Sequence, residues 1–183
     1  MDEQRAALLR AVADFSDSDW TRRPAADRWS VGDVCEHLHR VERGCARLVA
    51  KRGAEAREAG HPAETEDGSV LESLAFARLD DRSDRREAPE RVAPEGGWSR
   101  EAALAALEHS RAELRGAIAA ADGLALQSVR HEHPRLGDID LYQWILFVGA
   151  HEARHLSQIV EIRQALPREP DPSPRSTTSA GDA

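Results

Sequence analysis

Lysine is almost absent from this chain: Lys51 stands alone among 25 basic residues in a sequence of 183. Cysteine is nearly as scarce. The two present, Cys35 and Cys45, fall on one expected helix, where ten residues separate them by ~15 Å, beyond the reach of a disulfide. Both read as small buried hydrophobes. Aromatic residues make up 4% of the chain, and β-branched residues are also few, which speaks against an extensive sheet. No apolar run reaches the roughly 18 residues of a membrane span, so no membrane partner is expected. The opening residues lack a basic stretch followed by an apolar one, so no secretory signal is expected and the cytoplasm is the expected location. Positive charge is not gathered anywhere. The formal net charge is -8 and the arginines alternate with acids, which excludes nucleic acid as an expected partner.

What remains is a chain long enough for one domain with a real core and too short for two. Its apolar periods are helical nearly throughout. Leu8, Leu9, Val12 and Phe15 predict a first helix over residues 3–15. Ser30 and Asp33 form an S-x-x-D capping box that starts a second helix at Ser30, with its stripe at Val31, Val34, Leu38, Val41, Cys45, Leu48 and Val49 and its end near Gly53. Residues 53–98 are charged and rich in Gly, Pro and Asp; they read as a long crossover holding one short helix over residues 70–79. Ser99 caps a third long helix marked by Leu104, Leu107, Leu114 and Ile118, which ends before Gly123. Residues 131–137 read as a loop. Asp140 and Gln143 then cap a fourth long helix over residues 141–165. The fold class is therefore all-α, a four-helix bundle occupying residues 1–166. The apolar-poor residues 167–183 form an expected disordered tail.

Within the last helix, His151-Glu152-Ala153-Arg154-His155 puts two imidazoles one turn apart on one face. Leu141, Trp144, Val148, His151, His155, Ile159 and Ile162 form a single stripe, so both histidines take positions where a core helix carries Leu or Ile. A buried imidazole without a partner costs ~1–3 kcal/mol, and two side by side ask for a shared cation. The same letters match the zincin motif H-E-x-x-H, in which the glutamate is a general base. That motif needs a third ligand downstream, where only Glu161 and Glu169 remain, and a strand beside the helix, which is not evident in the sequence. The third ligand is therefore sought upstream.

The second helix offers His37 and His39. His37 stands three after Val34 and four before Val41, bordering the core face; His39 points about 100° away from Leu38 and reads as solvated. Three histidines without a carboxylate or thiolate would leave a divalent metal with an open position, as in catalytic zinc sites. His131 and His133 read as loop residues that could also mark a pocket mouth, and His61 and His109 as surface residues. Arg154 is placed to pair with Glu36 or to bind an anionic substrate, and Trp29 and Trp144 read as core plugs at helix ends, with a pocket wall as the alternative.

The segment from Trp29 to Leu38 (WSVGDVCEHL) resembles the WS…hhxHL motif of the DinB/YfiT-like superfamily. Residues 137–159 (GDIDLYQWILFVGAHEARHLSQI) resemble its last motif, and Trp20 followed by Arg23-Pro24 is in keeping with it. The resemblance implies an up-down-down-up bundle, a metal held by His37, His151 and His155, usually zinc or nickel, and a homodimer. Relatives include thiol-dependent transferases and isomerases acting with mycothiol or bacillithiol. The leading expectation is thus a metal-dependent transferase or isomerase acting on a small molecule with a low-molecular-weight thiol cosubstrate. A metal-dependent hydrolase with Glu152 as its catalytic base, and a non-catalytic stress-related metal-binding protein, are the alternatives.

Overall fold

Ser30 and Asp33 decide where the longest helix begins. In the computed structural model of the chain, which describes residues 1–66, 68–71, 73 and 87–167, the Ser30 hydroxyl accepts from the Asp33 N–H at 3.1 Å. The Asp33 carboxylate accepts in return from the Ser30 N–H at 2.9 Å. The reciprocal pair satisfies two donors that a helix start otherwise leaves unpaired. Asp140 and Gln143 repeat the arrangement at the start of the last helix. The order of elements is α1 (Asp2–Ala13), α2 (Asp17–Trp20), α3 (Val31–Glu58), α4 (Arg100–Ala120), β1 (Arg130–His133), β2 (Gly137–Asp140) and α5 (Leu141–Ala165).

Cross-helix contacts give the directions. His39, Glu42 and Arg43 of α3 meet Ala106, Ser110 and Glu113 of α4, so these two helices run parallel. Met1 lies against Gly149, Arg5 bonds Glu152 and Arg163 covers Phe15, so α1 runs parallel to α5. His37 near the start of α3 meets His151, whereas Arg52 near its end reaches the Arg130 carbonyl ahead of α5, so this pair is antiparallel. The bundle is up-down-down-up, and the parallel α3–α4 pair is what makes a long crossover necessary.

Several expectations are corrected here. Helix α3 continues past Gly53 to Glu58, because Gly53 serves close packing: a Cβ there would stand 3.1 Å from the Ala121 Cβ. The expected loop at residues 131–137 belongs to a hairpin in which β1 and β2 pair antiparallel, with His133 opposite Gly137. Gly137 has φ +73°, the left-handed residue that closes a three-residue hairpin turn. The expected short helix over residues 70–79 and the tail beyond Pro167 lie wholly or largely outside the described residues. No helix among the described residues is long and apolar enough to cross a membrane.

Close packing at the start of α3 is equally tight. A Cβ on Gly32 would stand 2.8 Å from the Trp20 Nε1 and 3.2 Å from the Trp20 carbonyl oxygen. Trp20 is not free to yield, since its indole N–H donates to the Trp98 carbonyl at 3.1 Å. Gly32→Ala should therefore destabilise the protein by about 1–2 kcal/mol, overpacking outweighing the gain in helix propensity. The check is a lower urea midpoint with an unchanged slope.

The apolar core falls into two parts. One gathers Leu8, Val12, Trp20, Val34, Leu38, Leu107 and Ile159; the other gathers Cys45, Leu114, Leu126, Ile139, Trp144, Phe147 and Val148. A layer of buried polar side chains lies between them.

A candidate metal centre beside a buried ion ring

The polar layer is built where the helical stripes carry His, Arg and Glu instead of Leu. On one side of it, His37 from α3 and His151 and His155 from α5 bring their Nε2 atoms together. The His37 and His151 nitrogens are 3.3 Å apart and those of His151 and His155 3.2 Å. All three lie within 4.8 Å of one another. A tetrahedral ion with bonds of ~2.0–2.1 Å would hold its nitrogen ligands about 3.3 Å apart.

The hydrogen bonds outside the cluster fix which nitrogen faces inward. His37 donates from Nδ1 to the Val92 carbonyl at 2.8 Å, and His155 Nδ1 lies 2.8 Å from the Gln158 Oε1. With their protons on Nδ1, both rings turn Nε2 lone pairs toward His151. His151 has one Nε2 position and can satisfy at most one of them with a proton, so two or more lone pairs confront each other. A cation resolves that conflict. Burial, partly offset by the Val92 carbonyl, lowers the pKa of His37. Burial, then the neighbouring His155, His37 and Arg154, pushes that of His151 well below its usual value. Neutral imidazoles are the form that binds metal. The donor set fits a divalent transition-metal ion, with no fourth ligand beside the three among the described residues.

Glu152, offered by the sequence as a base, is placed differently. Its two oxygens accept from Arg5 Nε and Arg111 Nη2, and the residue is 1% exposed. Arg5 and Arg111 also donate to Glu42, which further accepts from the Ser110 hydroxyl at 2.7 Å. Arg5, Glu42, Arg111 and Glu152 thus close an alternating ring with one member from each of α1, α3, α4 and α5. Held between two guanidinium groups and 1% exposed, this carboxylate serves as an ion-pair partner closed off from solvent. Sequence reasoning missed the ring, although a signal existed. Each member sits three or four residues from core apolar positions: Arg5 before Leu8, Glu42 between Leu38 and Cys45, Arg111 between Leu107 and Leu114, Glu152 after Val148.

Other assignments change as well. His39 is buried rather than solvated, its Nδ1 donating to the Ala106 carbonyl at 2.8 Å. Glu36 does not wait for Arg154; it binds Arg40 and the backbone N–H groups of Glu95 and Gly96. Trp29 is a wall of the histidine cluster, its ring 4.9 Å from that of His37 and stacked 6.1 Å from that of His155. The zincin reading found no strand, yet the hairpin directly precedes α5; its third histidine nevertheless comes from upstream. His61 and His109 are exposed, as expected. Cys35 and Cys45 are buried, and burial pushes both thiols up to about 12.

The crossover returns over the site, since Val92 caps His37 and Glu95 and Gly96 are tied to Glu36. Between the cluster and the ion ring lies a cavity of about 10 Å³, lined by Arg5, Glu42, His151 and Glu152 among others. That is room for one water at most. His151 itself is intermediate in exposure.

Comparison with known proteins agrees with this picture. The sequence profile of the DinB superfamily matches residues 1–159. A Bacillus subtilis (strain 168) protein named uncharacterized protein YuaE is 28% identical over 167 residues, 91% of this chain and 96% of that one. The crystal structure of TT2238, titled a four-helix bundle protein, matches with a TM-score of 0.59 at 20% identity, covering 87% of this chain and 92% of that chain. The last likeness is one of fold.

Proposed function

Given that the chain belongs to the DinB superfamily, we propose that His37, His151 and His155 hold one zinc or nickel ion, and that the protein is a cytoplasmic transferase or isomerase using a low-molecular-weight thiol of the mycothiol or bacillithiol type. The observation that carries this reading is the convergence of three imidazole nitrogens, His151 Nε2 lying 3.3 Å from His37 and 3.2 Å from His155 and all three within 4.8 Å, without a carboxylate or thiolate among them. A bound divalent ion supplies Lewis acidity, which lowers the pKa of a thiol ligand so that the nucleophilic thiolate forms near neutral pH.

The residues of the chain divide the remaining work. Val92 and Gln158 orient the His37 and His155 rings, as outer partners of metal-bound histidines commonly do. Trp29 gives the site an apolar wall. The chain's own thiols are buried and protonated, so they supply no nucleophile, which favours an external one. Hydrolysis would ask for a base, and Glu152 is committed to Arg5 and Arg111.

Metal analysis of protein purified without a His tag tests the reading, with His155→Ala alongside. One divalent ion per chain is expected in the wild type and none in the variant. Adding mycothiol or bacillithiol to the cobalt- or nickel-loaded protein should then produce a sulfur-to-metal charge-transfer band. Full occupancy in His155→Ala would remove the proposed ligand set. Normal metal binding with no spectral response to any thiol would remove the thiol reading and leave a metal-binding protein.

A further inference from the structure

Glu36 is a fully buried carboxylate that the metal reading does not use, and it stands directly before a proposed ligand. It is 0% exposed. Its Oε1 accepts from the Glu95 backbone N–H at 3.0 Å and from Arg40 at 2.7 Å, and its Oε2 accepts from the Gly96 N–H at 2.9 Å. Arg40 also reaches the Glu95 carboxylate at 2.8 Å, a second hold on that residue. Consecutive positions of α3 thus meet one piece of the crossover twice. Glu36 grips residues 95 and 96, and His37 donates from Nδ1 to the Val92 carbonyl at 2.8 Å.

Between that grip and that carbonyl lie only Ala93 and Pro94, and both are restricted. Ala93 is extended, with φ -62° and ψ 139°, the conformation that a following proline imposes. The pyrrolidine ring fixes φ at Pro94. On the far side, Val92 closes a single 3-10 turn, its N–H and that of Ala93 donating to the Pro89 carbonyl at 2.9 and 3.0 Å. A segment this stiff transmits the position of residues 95 and 96 to the Val92 carbonyl. The hold further upstream is exposed, Arg135 donating to the Glu87 carbonyl at 2.7 Å.

Gly96 shows how closely the segment is seated. Its φ is +83°, and a Cβ there would stand 3.2 Å from Asp33 Oδ1. An apolar side chain at position 36 would fill the same space without selecting one seating. A buried carboxylate bonded to two successive N–H groups does select one, because any other leaves its lone pairs unsatisfied.

We propose that Glu36 is a positioning residue for the histidine centre. By fixing residues 95 and 96 it holds the Val92 carbonyl against His37 Nδ1, and so keeps the Nε2 lone pair of His37 turned toward His151 and His155. The consequence for ion binding rests on the metal reading above, whereas the hold on the His37 ring is a property of the metal-free protein.

Two variants test it from opposite sides. Glu36→Gln keeps the size but offers one acceptor oxygen instead of two, and sets an NH₂ group against a donor. Gly96→Ala shifts the same segment from the crossover side, through its left-handed φ and the Asp33 contact. The first readout is the tautomer of each ring by NMR of histidine-labelled, metal-free protein near neutral pH. His37 should carry its proton on Nδ1 in the wild type and become a mixture of tautomers in both variants. His155, held by Gln158, should not change. The second readout is zinc affinity by competition with a chelating dye, at a temperature where the variants are folded. It should fall about 10-fold, as it does when outer partners of metal-bound histidines are removed.

A carboxylate that only stabilised the fold would lower the urea midpoint and leave the His37 tautomer and the zinc affinity as they are. Either of those unchanged in a folded variant would overturn the proposal and leave the metal site standing. If Glu36→Gln does not fold, Gly96→Ala decides. A wild type that takes up no zinc would overturn the metal reading, and with it the role of Glu36 in binding an ion.

Discussion

Glu42→Ala lowers stability by about 3–5 kcal/mol, because it leaves Arg5 and Arg111 in the bundle interior with one carboxylate between them. Glu42 is 2% exposed and accepts from Arg5, Ser110 and Arg111, so no single replacement partner is at hand. Removing all four charges together should behave oppositely. The fourfold variant Arg5→Met, Glu42→Leu, Arg111→Met, Glu152→Leu fills the layer with apolar side chains and should be neutral or more stable than wild type, since the desolvation of four ions is then avoided. Urea denaturation of both variants is the measurement. A loss under about 1 kcal/mol in Glu42→Ala would mean that water reaches the ring and screens it.

The same carboxylate gives the prediction a pH signature. Burial pushes the Glu42 carboxyl up, but the charge of Arg5 and the hydrogen bonds from Arg111, Ser110 and Arg5 outweigh it and hold the pKa below the ordinary 4.5. A carboxyl whose folded pKa is depressed contributes stability above its unfolded pKa and loses it as pH falls toward the folded one. The gap between wild type and Glu42→Gln should therefore narrow below about pH 4.5.

His151→Leu is expected to separate stability from metal binding. In the wild type, a divalent ion at 1,000 times its dissociation constant should add about 4 kcal/mol. The variant should gain nothing from metal. Without metal it should be as stable as wild type or about 1 kcal/mol more so. A leucine removes a nitrogen that faces two other imidazole lone pairs at 3.2–3.3 Å, of which a single Nε2 proton satisfies at most one. Thermal melts with and without zinc read both quantities. A zinc-dependent rise in Tm that survives in His151→Leu would place the metal elsewhere.

Much of this fold is legible from local chemistry. The boxes Ser30/Asp33 and Asp140/Gln143 act within four residues, so the starts of α3 and α5 follow from the sequence alone. The pairing of His151 with His155 is likewise a property of one helical turn. His37 was separable from His39 by the stripe it borders, though the stripe misjudged His39, which α4 and Trp98 cover. The hairpin escaped notice for a comparable reason. Arg-His-Glu-His and Gly-Asp-Ile-Asp have no strand pattern, and the pairing is held by Val129, Ile139 and Trp144 packing into the core of the bundle.

The sequence by itself determined the helices, their caps, the i,i+4 histidine pair and the need for a partner from another helix, because each depends on residues within a turn or two. Only the tertiary structure decided what meets what across the bundle. It brought His37 to the pair and tied Glu152 to Arg5 and Arg111 instead of the histidine face. Those outcomes depend on groups up to 147 residues apart in the chain, as for Arg5 and Glu152. The reason is physical: a helix period says which face a charge occupies, but a buried charge is satisfied by whatever the facing helix presents, and that register exists only after packing.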